Sequence, residues 1–271
     1  MLNLTDGEFV RLTSYLQSSF GINLTKKRTL IEGRLNKYLS DRGFLNFTDY
    51  LDLVLKDPNG AEMSQLLNHL TTNFSYFLRE WDHFEYLRSH VLPGLRQSIP
   101  DGDLRIWSAG CSTGEEPFTL AMLLNDFFAL EASRWDKKVL ATDISQKALE
   151  TAKAGSYEDE ALAKVPAEWR KKYFTRQGES NWQVKPALRD EVIFRSFNLM
   201  EEAFPFQRKF HVIFCRNVMI YFDRPTKAAL IRRFYDHTEP GGYLFVGQSE
   251  SIGREDAPWQ YIMPSVFRKG V

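Results

Sequence analysis

Residues 104 to 118, Leu104-Arg105-Ile106-Trp107-Ser108-Ala109-Gly110-Cys111-Ser112-Thr113-Gly114-Glu115-Glu116-Pro117-Phe118, decide how the rest of the chain is read. A short apolar run enters a cluster of small residues, and Leu120, Ala121, Leu123, Leu124, Phe127 and Phe128 leave it at helical spacing. The unit is therefore strand, tight turn, helix. Open α/β sheets build ligand sites from such units, and Gly110 and Gly114, lacking Cβ atoms, allow a sharp turn and a close approach of backbone to ligand.

The turn also excludes ligands. Neither the G-x-G-x-x-G dinucleotide fingerprint nor the G-x-x-x-x-G-K-[ST] phosphate loop is present. Glu115 and Glu116 fall in the first helical turn, where they would repel a pyrophosphate. S-adenosylmethionine (SAM), with a sulfonium, an ammonium and no phosphate, suits that turn better. The alternative is that both acids only complement the helix dipole. The next strand, Lys138-Val139-Leu140-Ala141-Thr142-Asp143, ends in an acid placed to accept from ribose hydroxyls. For Asp143 the competing reading is a cap for the helix that follows.

The chain has 271 residues, enough for one large domain and a small one. Lysine plus arginine number 35 and so do the acids, so no global field favours nucleic acid or a membrane surface, and a basic docking surface must be local. The two cysteines, Cys111 and Cys215, fit reduced thiols in a cytoplasmic protein. No secretory signal opens the sequence, and its longest apolar stretch, 120 to 130, is too short to span a bilayer.

Residues 4 to 72 read as helices only. Thr5-Asp6-Gly7-Glu8 has the form of a capping box before a helix that Gly21 ends. A second helix is expected from Thr25 to about Gly43, and residues 25 to 42 hold six bases against two acids, a net +4. That face is either solvated or a docking surface for an acidic partner. Two more helices, 47 to 57 and 61 to 70, flank the turn Asp57-Pro58-Asn59-Gly60. A linker with an aromatic-rich helix occupies about 73 to 103 and leads through Pro93-Gly94 and Pro100-Asp101-Gly102 into the central strand. Within it Arg79 is either a surface arginine covering apolar groups or a forked donor aimed at a carboxylate.

Four motifs in order, T-T-N-F-S-Y-F-L-R from Thr71, W-S-A-G-C-S-T-G-E-E-P from Trp107, A-T-D-I-S from Ala141 and F-C-R-N-V-M-I-Y-F from Phe214, closely resemble the chemotaxis receptor glutamate methyltransferases of the CheR type. The resemblance implies a small all-α N-terminal domain (1–72), a linker (73–103) and a doubly wound, Rossmann-like α/β SAM-methyltransferase sheet (104–271) with a small β insertion at about 174–190. It implies that Asn73, Ser75 and Arg79 face the cofactor and the incoming carboxylate, that Glu116 holds the methionyl part, with Gly110 in the same turn, and that Asp143 holds the ribose. Asn198 and Leu199 match residues beside the adenine, Asn217 and Val218 match the end of the next strand, and Tyr221 matches a tyrosine bordering the reaction centre. The implied partner is the cytoplasmic helical bundle of chemoreceptors, met by the basic helix 25–42. In some relatives the insertion grips a receptor-tail peptide; here it is a few residues shorter, which argues against tethering.

Without that resemblance, Asn198 and Asn217 read equally as turn formers and Tyr221 as a core aromatic. The strand Phe210 to Cys215 ends at the carboxyl edge where such sheets bind ligands, Gly242 to Gly247 forms another, and residues 259 to 268 close the sheet as an edge strand. None of the five histidines has metal-ligand spacing, so no metal is expected. Cys111 suits a tight turn more than it suggests a nucleophile. The implied reaction moves a methyl group to a glutamate oxygen, leaving S-adenosylhomocysteine. Two other classes remain open: a nicotinamide oxidoreductase, disfavoured by the missing fingerprint, and a non-catalytic SAM-sensing adaptor.

Overall fold

The computed structural model describes residues 2–58, 60–71, 73–253 and 255–271; Asn59 of the expected turn and Thr72 of the first motif lie outside the described residues. Four helices open the chain: α1 (Asp6–Phe20), α2 (Arg28–Asp41), α3 (Phe47–Lys56) and α4 (Ala61–Leu70). The Thr5/Glu8 capping box forms, and Gly21 (φ 71°) ends α1 in the left-handed conformation. The second helix starts at Arg28, three residues later than expected, because Thr25 is held outside it by Asn23 Oδ1. Apolar stripes from all four helices close one core around Leu12, Leu16, Leu35, Phe47, Tyr50 and Leu66.

The linker carries α5 (Trp81–Tyr86), a π turn (Leu87–Val91) and α6 (Leu92–Ser98). Pro93-Gly94 lies within the first turn of α6. The Leu92 N–H bonds back to Leu87 O, which widens the turn ahead of Pro93, and the proline then falls at the start of α6, where its missing N–H costs nothing.

The main sheet has the order β6-β2-β1-β7-β8-β10-β9. Its strands are β1 (Ile106–Ala109), β2 (Val139–Asp143), β6 (Val192–Ser196), β7 (Phe210–Cys215), β8 (Thr238–Val246), β9 (Trp259–Met263) and β10 (Val266–Lys269). The first five pair in parallel, while β10 is antiparallel to both β8 and β9. Chain order reverses between β1 and β7, and that crevice is where doubly wound sheets bind ligands. Helices α7 (Glu115–Phe127), α8 (Gln146–Ala154) and α11 (Arg224–Asp236) connect the parallel strands. The expected single edge strand over 259 to 268 is instead the β9–β10 hairpin, turned by Ser265 in a left-handed conformation (φ 63°).

The β insertion also starts earlier than expected. Gly155 caps α8 and sends the chain straight into β3 (Ser156–Glu158), which joins β5 (Asn181–Val184) and β4 (Phe174–Gln177) in a three-stranded sheet; α9 (Ala167–Tyr173) lies between and α10 (Pro186–Arg189) follows. Three residues are too few to show an alternating pattern, so β3 left no periodic trace in the sequence.

Phe77 of the linker fastens this small sheet to the main body. It is fully buried, edge-on to Tyr157 (5.0 Å) and Phe174 (5.5 Å). Phe77→Ala should cost about 3–5 kcal/mol, the usual loss for a buried aromatic. It should appear as a lower urea midpoint; a midpoint unchanged from wild type would show that the linker does not fix the insertion.

Candidate functional site

A cavity of about 370 Å³ opens at the carboxyl ends of β6, β2, β1 and β7, within the ~300–1,000 Å³ range of small-molecule pockets. Its lining brings together Asn73, Ser75, Arg79, Gly110, Glu116, Asp143, Asn198, Leu199, Asn217, Val218 and Tyr221. Phe20, Ile22 and Thr71 of the helical domain complete one wall.

The turn after β1 is built for close approach at one glycine only. Gly110 has φ 86°, and a Cβ there would stand 2.3 Å from Val218 Cγ2. Gly114 (φ 99°) does not face the cavity as expected: a Cβ there would strike Ala152 Cβ and the Tyr157 hydroxyl, both at 2.9 Å. It is small so that α7 can pack against α8 and β3. The two acids of α7 also part company. Glu115 turns away and accepts from Thr113 Oγ1 (2.7 Å), while Glu116 faces the cavity, accepting from Ser108 Oγ (2.7 Å) and pairing with Arg216 Nε (2.9 Å). Burial raises the Glu116 pKa, against the pull of Arg216 and Ser108.

Asp143 holds the turn in place. One oxygen accepts from the Ser112 N–H (2.7 Å) and the other from the Ser145 N–H (2.8 Å). The helix cap is Ser145, whose hydroxyl accepts from Ala148 N–H, so Asp143 is not spent on capping α8. Each of its oxygens keeps a further lone pair for a hydroxyl donor in the cavity. Asn73 donates to Ser145 Oγ (3.3 Å) and accepts from Ser112 Oγ at its backbone carbonyl (3.0 Å), which ties the linker to both turns. Ser75 bears on Glu115, lowering its pKa against a larger rise from burial.

Asn198 acts as a turn former. Its Nδ2 donates to Ser19 O (2.7 Å) and its Oδ1 accepts from Met200 N–H (3.0 Å). Both ends of its amide are thus engaged in fixing the wall, and Leu199 beside it supplies apolar lining. Among the described residues Arg79 forms no ion pair with a carboxylate. Its Nη1 donates to Phe74 O (2.9 Å) and its guanidinium lies over the Phe74 and Tyr76 rings. Tyr221 lines the cavity, and its carbonyl accepts from Asn23 N–H (2.9 Å).

Several residues escaped the sequence reading. Arg216 is buried, stacked over Phe84 (5.2 Å), and besides pairing with Glu116 donates to Arg79 O (2.6 Å). His83 is neutral, its pKa pushed down to about 3 by burial and then by Arg216. Glu80 Oε2 is buried without a hydrogen bond among the described residues and stands 3.5 Å from His83 Nδ1. Glu250 is buried too and accepts from three backbone N–H groups, Gly247 (2.6 Å), Asn217 (3.0 Å) and Ile220 (3.1 Å). It thereby fixes Asn217 in a left-handed conformation (φ 60°). The sequence did carry one signal, a strong base directly after β7, a strand apolar except for His211. Burial holds the Cys111 thiol well above its usual pKa, which leaves it inert. Among the described residues no group of three or more His, Cys, Asp or Glu is placed to hold a metal, and no helix is long and apolar enough to cross a membrane.

The donor set fits SAM. Along the sheet edge it runs from apolar Phe197 and Leu199 after β6, to Asp143 at the end of β2, to Gly110 and Glu116 after β1, to Arg216 and Asn217 after β7. A flat ring, a diol and a zwitterionic amino acid find matching surfaces in that order. A family profile described as "CheR methyltransferase, SAM binding domain" matches residues 73–266. Fold, site and profile together define a SAM-dependent methyltransferase.

The particular family follows from the whole chain. A second profile, "CheR methyltransferase, all-alpha domain", matches residues 7–71. The sequence is 40% identical over 272 residues to the chemotaxis protein methyltransferase of Borreliella burgdorferi, covering 99% of this chain and 96% of that one. It is 41% identical over 245 residues to a probable chemotaxis protein methyltransferase of Rhizobium etli (89% and 91%) and 37% identical over 255 residues to the chemotaxis protein methyltransferase of Escherichia coli (93% and 86%). The chain belongs to the CheR methyltransferase family.

Two variants test the site. Arg216→Met would leave Glu116 without its buried counter-charge and should destabilise the fold by about 3–5 kcal/mol in chemical denaturation. A loss below 1 kcal/mol would mean that the pair is not held in solution. Gly110→Ala should weaken SAM binding at least tenfold by calorimetry, because the new methyl group and Val218 cannot share one position.

Proposed function

We propose that the protein transfers a methyl group from SAM to glutamate side chains of chemoreceptors, giving glutamyl methyl esters, and that it works in the cytoplasm. One observation carries this reading: among the described residues the cavity lining holds no histidine or lysine. Its two acids are committed, Asp143 to two backbone N–H groups and Glu116 to Arg216. An amine or alcohol acceptor would need a group to take its proton. A glutamate, with a reference pKa of about 4.3, arrives already ionised.

When bound, SAM supplies an activated methyl group on a sulfonium. Asp143 holds the sugar through its free lone pairs, and Glu116 with Arg216 receives the amino-acid end. Asn198 and Glu250 act indirectly by fixing the walls on which Leu199, Asn217 and Val218 sit. Arg79 keeps guanidinium N–H groups beyond the one given to Phe74 O, and these orient the incoming carboxylate at the mouth beside Tyr221. Catalysis by such positioning is worth up to about 7–11 kcal/mol. A tighter grip by Arg79 would stabilise the bound substrate as much as the transition state and gain nothing in turnover.

The receptor is met by the face of residues 25 to 42. Arg28 pairs with Asp6, Lys37 with Asp41 and Arg42 with Glu62, which leaves Lys26 and Lys27 as its exposed cations without an ion pair among the described residues. A field of that size raises the encounter rate with an acidic helical bundle more than it sets affinity. We assign the small sheet no role in holding a receptor tail, and nucleic acid and lipid no role as partners.

The test is incubation with labelled SAM and receptor-bearing membranes. Base-labile methyl esters should form; SAM binding with no ester on any receptor would instead make the protein a SAM-sensing adaptor. Arg79→Ala should lower turnover roughly tenfold or more while SAM affinity changes less than about threefold. Equal losses in both would remove Arg79 from the acceptor side.

A further inference from the structure

Lys164 lies on the insertion, between β3 and α9, beside Tyr76 of the cavity lining. Its ammonium sits 4.6 Å from the centre of the Tyr76 ring, and the Arg79 guanidinium sits 5.7 Å from the same centre. Tyr76 and Arg79 line the cavity, and Phe74 beside them is 66% exposed. Sharing one ring, the two charges are no more than about 10 Å apart, a separation over which salt screens them only partly. Neither has a carboxylate partner within ion-pair distance among the described residues, and Lys164 is exposed. Contact with a ring leaves an ammonium with N–H donors free for an anion.

Each cation can take a carboxylate of its own. We propose that Lys164 is a substrate-recognition residue that takes a second carboxylate on the acceptor helix, one turn from the glutamate that Arg79 orients. The proposal rests on the glutamate-methylation reading and narrows its substrate to acidic pairs on one helix face. On a helix, residues three or four apart have Cβ atoms about 5–6 Å apart and flexible stems extend the reach of their carboxylates, so a pair of acids on one face falls inside the upper bound on the separation of the two cations. Tyr76 holds the ammonium in place in advance, and Phe74 offers an apolar surface to the face of the arriving helix.

The experiment uses the full chain and three helical coiled-coil peptides with one target glutamate each. One has a second glutamate four residues before the target, one has it four residues after, and one has glutamine at both places. KM and kcat are measured with labelled SAM, and binding to the protein loaded with S-adenosylhomocysteine is measured by fluorescence anisotropy. Wild type should favour one of the two-acid peptides by about threefold to fivefold in KM and in dissociation constant, the scale of an exposed ion pair. Lys164→Gln should erase that preference and Lys164→Arg should keep it, with the affinity for S-adenosylhomocysteine unmoved. A preference that survives in Lys164→Gln, no preference in wild type, or no peptide binding at all overturns the proposal. A Lys164-dependent binding preference without ester formation upholds it and overturns the methyl-transfer reading instead.

Discussion

The site depends on a single buried cation. The Arg216 guanidinium touches Glu116 in the first turn of α7, the Arg79 carbonyl in the linker and the Phe84 ring in α5, and it stands at the end of β7. A charge so far from water persists only where opposite charge and acceptors are supplied, and those suppliers come from two separate segments, α7 and the linker. The linker therefore has one conformation in which Arg216 is satisfied, and in that conformation Arg79 faces the cavity. Glu116 is fixed for the same reason, since its second oxygen is held by Ser108 inside β1.

A second constraint comes from the helical domain, which forms part of the cavity wall. Asn198 donates to Ser19 O, Asn23 N–H donates to Tyr221 O, and Ser145 Oγ donates to Asn68 Oδ1 (2.5 Å). Each bond joins the domain to a loop at the sheet's carboxyl edge. The hydrogen bonds are individually modest, but they order both sides of the cavity before any ligand arrives.

The sequence exposed what is local. A mostly apolar strand, a pair of glycines and a helix with apolar residues at helical spacing make β1 and α7 visible without any partner, and an acid at the end of an apolar run picks out Asp143. Distant pairings left no such trace: nothing about Glu80, Glu116 and Arg216, separated by up to 136 positions, announces that they meet. Short elements were also hidden. The three residues of β3 could not show alternation, and the π turn ahead of Pro93 has no signature in composition. Gly114 was misassigned for a related reason, since a glycine required by packing and one required by a ligand look alike until the neighbours are known. Family resemblance brought in Asn198, Asn217 and Tyr221, which propensity alone left as turn or core residues.

One contact bears on how such chains can be recombined in evolution. Gly21 closes α1 against Met200 and Phe222, where even a methyl group would come within 2.6 Å of the Met200 sulfur. The helical domain and the sheet are therefore matched at a seam with no slack. A hybrid that exchanged one half between distant homologues would inherit two mismatched faces at the mouth of its own pocket, so these halves should be passed on as one unit.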